Sequence, residues 1–132
     1  MTQKTIAANS RIIQFASAAA FVPQPGFAVY AATKSYVLSH SRALAHELKS
    51  RNISVTALCP GSVETEFFDY ALNGKKLPLY KKAVISQPEV VVKHAISDSL
   101  MGKSMSISGP IMKGFYLLCK FLPHDLIMKF IK

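Results

Sequence analysis

At 132 residues the chain has room for one domain with a substantial core, since a chain of roughly 150 residues buries about 70% of its unfolded surface. Half of its residues are hydrophobic and only 17% are charged, which excludes an intrinsically disordered chain. The net charge is +9, from 16 Lys plus Arg against 7 Asp plus Glu, but the cations are spread along the chain with no arginine-rich stripe, so no nucleic acid partner is expected.

Residues 1–10 are polar and unpatterned and read as a loose N-terminal arm. The run from Arg11 to Ser17 is short and apolar, the signature of a buried parallel strand. Lys4 and Arg11 ahead of an apolar stretch mimic a secretory leader, but Gln14 and Ser17 interrupt it and the strand accounts for the same residues. Pro23, Pro25 and Gly26 mark Ala18 to Gly26 as a loop. From Phe27 to Arg51, apolar and small residues (Val37, Leu38, Ala43, Leu44, Leu48) recur at helical spacing, and the segment ends in a basic turn with Asn52 as its stop.

Ile53 to Cys59 is a second β-branched apolar run closed by Pro60-Gly61, so strand, helix and strand form a right-handed βαβ unit. Gly61 to Ile85 carries no period and reads as a loop with short helical pieces. Ser86, with Glu89 three residues on, predicts a capping box opening a helix that runs to Met101 and stops at Gly102. Ser104 to Ser108 is a third short strand, and residues 111–132 form a C-terminal helical extension broken at Pro123. In that tail Lys113, Lys120, Lys129 and Lys132 punctuate Phe115, Leu118, Leu122, Leu126 and Phe130, a pattern that suits weak contact with a membrane surface. The elements sum to a single α/β domain over 1–132 with about three parallel strands and flanking helices.

The chemistry-bearing residues cluster at the first helix. Tyr30 and Lys34 stand i, i+4 on one face, and Ser17 precedes the tyrosine by thirteen positions at the end of the first strand. A lysine ammonium beside a phenol favours the phenolate, giving a proton donor and acceptor of the kind that carbonyl reduction or alcohol oxidation requires. A serine hydroxyl nearby would hold the substrate oxygen against the tyrosine.

Other polar residues suggest less. His40 and His46 lie six apart on different faces, and His94 and His124 have no partner in sequence. Cys59 and Cys119 lack metal-ligand spacing and read as reduced core thiols of a cytoplasmic protein. Glu64, Glu66 and Asp69 read as loop-surface charges, and no metal site is expected. No stretch reaches the roughly 20 apolar residues of a membrane span.

Three motifs together, Ser17, Tyr30-x-x-x-Lys34 and Pro60-Gly61-Ser-Val63-Glu-Thr65, resemble the short-chain dehydrogenase/reductase family. The resemblance implies a Rossmann-like doubly wound parallel sheet and NAD or NADP as cofactor. It implies Tyr30 as general acid/base and as a cofactor contact, Lys34 as the residue that holds the nicotinamide ribose, and Ser17 as the residue that orients substrate. It also implies that Val63 and Thr65 anchor the carboxamide while Pro60-Gly61 allows close backbone approach. The family's Gly-rich pyrophosphate turn is not matched: the six glycines never take GxGxxG or GxxxGxG spacing. By the family plan the chain corresponds to the C-terminal portion, with the N-terminal dinucleotide-binding half missing. The alternative reading is a non-catalytic remnant serving as an oligomerisation or interaction module. The implied partners are an apolar alcohol or ketone, suggested by Phe67, Phe68, Tyr70 and Leu72, and further copies of the chain in a homo-oligomer. The stripe Val37, Ser41, Ala45 and Leu48 is the candidate contact.

Overall fold

The computed structural model describes residues 9–61 and 86–130. Within them three parallel strands, β1 (Arg11–Phe15), β2 (Ser54–Leu58) and β3 (Met105–Ser106), form one sheet in the order β1-β2-β3. Arg11 pairs with Ser54 and Phe15 with Leu58, while Ala57 and Leu58 pair with Met105 and Ser106. Helix α1 (Ala28–Glu47) connects β1 to β2, α2 (Pro88–Leu100) precedes β3, and α3 (Pro110–Phe121) and α4 (His124–Met128) follow it. This is an α/β, partial Rossmann-like sheet with flanking helices.

The central strand explains the layering. Val55, Thr56, Ala57 and Leu58 are all buried, as a strand covered on both faces requires. Because side chains alternate, Ala57 and Cys59 join one cluster with Ala16, Phe21, Leu38, Ile107, Cys119 and Ile127, which draws in α1, α3 and α4. Leu58 faces the other way, into Val91 and Ala95 of α2, with Ile13 of β1 beside them. Helices therefore cover both faces of the sheet.

Three local expectations are corrected. Ala18 to Gly26 is not all loop: Ala18–Phe21 makes a 3₁₀ turn, and the Ser17 hydroxyl caps it by accepting from the Ala19 N–H at 3.2 Å. The breakers start only at Pro23, leaving room for one turn. The capping box at Ser86 and Glu89 does not form, and Gln87 is the N-cap of α2 with no side-chain cap bond. Pro88 holds the residue before it extended (Gln87 φ −70, ψ 139), so the helix cannot begin at Gln87 and Glu89 falls one position short. Finally, Ser41 of the proposed contact stripe is fully buried, and its hydroxyl lies 2.6 Å from the Val37 carbonyl and 2.9 Å from Gln14 Oε1. Val37 packs on the chain's own core. Half of that stripe is thus used within the molecule. Asn52 closes the first crossover as expected, in the left-handed region at φ 54.

Candidate active site

The site is assembled where β1, β2 and α1 converge. α1 carries Tyr30 and Lys34 one turn apart, and the Lys34 Nζ lies 5.8 Å from the Tyr30 ring centroid. The same Nζ donates to the backbone carbonyl of Phe15 at 3.0 Å, fixing the helix to the last residue of β1. Two residues further, Ser17 is buried while its hydroxyl caps the 3₁₀ turn. That turn is secured from both sides. The Ala18 N–H donates to the Pro60 carbonyl at 2.9 Å, and the Ser35 hydroxyl of α1 donates to the Ala20 carbonyl at 3.0 Å.

Tyr30 remains open to the surroundings at 44% exposure, on an open depression of about 420 Å³ lined by Gly26, Phe27, Ala28, Val29 and Tyr30. Lys34 is half-buried. An ammonium has three N–H donors, so the bond to Phe15 leaves capacity for hydroxyl oxygens beside the phenol. The Lys34 ammonium thus lies against the Tyr30 phenol and is bonded to Phe15, two residues before Ser17 at the strand end.

Pro60-Gly61, expected to allow close backbone approach, also has contacts within the chain. A Cβ built on Gly61 would sit 2.7 Å from Met112 Sδ, so the missing side chain makes room for α3. The Pro60 carbonyl serves the Ser17 turn. Val63 and Thr65, with Phe67, Phe68, Tyr70 and Leu72, lie outside the described residues. Sequence reasoning missed Phe15 and Met112. A backbone carbonyl leaves no trace in residue identity, and Met112 reads only as one more apolar position in a helical tail.

On the other flank of α1 a second cleft of about 490 Å³ runs between Phe21, Pro23, Ala28, Ala31 and Ser35, with His124 and Met128 of α4 over it. Its lining lacks Tyr30 and Lys34. Cys59 is no nucleophile, since burial pushes its thiol up to about 12. Burial raises Cys119 as well. Among the described residues no three His, Cys, Asp or Glu side chains gather into a metal-binding group.

Comparison with known proteins bears on the family and the fold. The family profile for short chain dehydrogenase matches residues 2–75, which include Ser17, Tyr30, Lys34, Pro60, Gly61, Val63 and Thr65. Nodulation protein G of Rhizobium meliloti (strain 1021) is 29% identical over 111 residues, covering 76% of this chain and 45% of that protein. Among solved structures, one of a 7beta-hydroxysteroid dehydrogenase superimposes with a TM-score of 0.78 at 20% identity, covering 92% of this chain and 47% of its own, and carries the fold alone. The 3-ketoacyl-(acyl-carrier-protein) reductase of Brucella melitensis, complexed with NADH, gives a TM-score of 0.55 at 29% identity and covers 74% of this chain and 41% of its own. The chain thus spans less than half the length of each of these relatives.

Proposed function

The chain belongs to the short chain dehydrogenase family, and from that premise we propose that it carries the proton-transfer machinery of an NAD(P)-dependent oxidoreductase interconverting an apolar alcohol and a ketone. The observation that supports this best is the position of the Lys34 ammonium, against the Tyr30 ring and held by the Phe15 carbonyl. Such a cation suits the hydroxyls of a nicotinamide ribose, and the remaining donor capacity fits that group. No residue is assigned to the pyrophosphate or the adenosine ribose, because none of the six glycines falls in a phosphate-cradling pattern.

When bound, NAD(P)H supplies the hydride that reduces a carbonyl carbon. The residues of this chain do the rest. The Tyr30 hydroxyl gives its proton to the substrate oxygen, and the Lys34 charge offsets the phenolate left behind. The Ser17 hydroxyl turns from its Ala19 partner to hold the substrate oxygen, a role compatible with its place at the strand end. In the reverse direction Tyr30 takes the proton back. The free thiols Cys59 and Cys119, both buried, support a reducing, cytoplasmic setting.

A homo-oligomer is part of the same proposal. Val29 and Tyr36, seven apart on α1, are 79% and 70% exposed, and Tyr36 stacks on His40 at 5.9 Å. Light scattering giving a monomer would remove that part. The test of the chemistry is oxidation of NADH or NADPH in the presence of apolar ketones by wild type and Tyr30→Phe. Ketone-dependent turnover in wild type, with a loss of about 10²–10⁴-fold in the variant, is the expected result for a lost acid/base. A Tyr30→Phe protein as active as wild type would refute the assignment.

A further inference from the structure

We infer that helix α3 docks on the surface of an anionic lipid bilayer through the side it turns away from the core. The inner side of α3 is fixed by packing: Cys119 is buried, and Met112, Phe115 and Tyr116 lie on the core. At 100° per residue the opposite side carries Leu117 and Phe121, with Ile111 and Leu118 along one edge. All four are exposed, Phe121 at 76%. The other edge is formed by Lys113 and Lys120, seven residues apart and both exposed. An apolar outer stripe bordered by a row of cations is the arrangement that sinks into the headgroup boundary of a bilayer.

The charge favours lipid over a second copy of the chain. From Pro110 to Phe130 there are three lysines (Lys113, Lys120, Lys129) against one acid, Asp125, and the whole chain is +9. Two such surfaces repel, whereas anionic headgroups attract them. The Lys120 Nζ lies over the Phe121 ring, 5.6 Å from its centroid, so the ammonium stays next to the apolar stripe it borders. The helix lies on the surface and does not span it. Its 12 residues extend about 18 Å against a hydrocarbon core of about 30 Å, and among the described residues no helix is long and apolar enough to cross a membrane.

Co-sedimentation of the full chain tests this, with vesicles of phosphatidylcholine alone and of equal parts phosphatidylcholine and phosphatidylglycerol. Wild type should bind the anionic vesicles, more weakly as salt is raised. The doubles Leu117→Ser/Phe121→Ser and Lys113→Glu/Lys120→Glu should each lose about tenfold in binding. Circular dichroism of both doubles should match wild type, since all four positions are exposed. Absence of binding to anionic vesicles, or binding unmoved by either double, would overturn the inference. So would vesicle-free self-association abolished by Leu117→Ser/Phe121→Ser, which would assign the stripe to a second copy.

Discussion

Lys34 Nζ donates to the carbonyl oxygen of Phe15 at 3.0 Å, joining helix α1 to the end of strand β1 across 19 positions of sequence. The bond places the ammonium, the Tyr30 ring it borders and the Ser17 backbone in one frame. It is charge-assisted, so it costs more to lose than a neutral pair of the same length. Replacing Lys34 by Met keeps the aliphatic stem and removes only the cation. The outcome expected is a folded protein with a modest drop in melting temperature, because Phe15 is 65% exposed and water can reach that part of the sheet edge. A collapse of the circular dichroism spectrum in Lys34→Met would show the bond to be structural first.

The serine has two duties that substitution can separate. Ser17→Ala removes both the cap on the 3₁₀ turn and the proposed substrate contact, and should cost about 1 kcal/mol of stability. Ser17→Thr keeps a hydroxyl in the same place, so urea unfolding should return most of that loss. Equal stability of wild type and Ser17→Ala would mean the 3.2 Å contact to Ala19 carries no weight.

Much of this arrangement was legible in the sequence, and the limits have physical causes. The β-branched run Ile53 to Cys59, closed by Pro60-Gly61, reads as a strand, and the structure buries every residue from Val55 to Cys59. Tyr30 and Lys34 share a face because four residues make about one helical turn. What could not be read was anything carried by backbone: the Phe15 carbonyl under Lys34, the Pro60 carbonyl under Ala18, and the extended Gln87 that displaces the α2 cap. The packing of Met112 against Gly61 could not be read either, because the two stand 51 positions apart in sequence and only tertiary packing brings them together.

Acid titration of stability should single out Asp98. Burial pushes its carboxyl up, but the hydrogen bond and charge of Lys103, at 2.7 Å, together with Ser106 and the charge of His94, hold the group below the usual carboxylate range. A depressed carboxylate stabilises the fold at every pH above its unfolded-state value, about 3.9, and loses that contribution as pH falls through the folded-state value. Wild type should therefore be more stable than Asp98→Asn at pH 7, with the gap closing below about pH 4. A gap that stays constant down to pH 2 would show that ionisation of Asp98 plays no part.

Thiol chemistry gives a direct check on burial. With the Cys59 thiol pushed up to about 12, on the order of one molecule in ten thousand carries the thiolate at pH 8. Iodoacetamide should leave Cys59 unlabelled in the native protein and label it after unfolding in guanidinium. Rapid native labelling at Cys59, located by peptide mass, would contradict the buried strand end.

If the Lys34 ammonium beside Tyr30 receives the nicotinamide ribose, titration with NADH and NADPH, followed by nicotinamide fluorescence, will reveal it. Saturable binding to wild type is expected, with a loss of tenfold or more in Lys34→Met, about that of one charged hydrogen bond. Saturable binding that is indifferent to Lys34→Met, or no saturable binding by wild type at all, would contradict it.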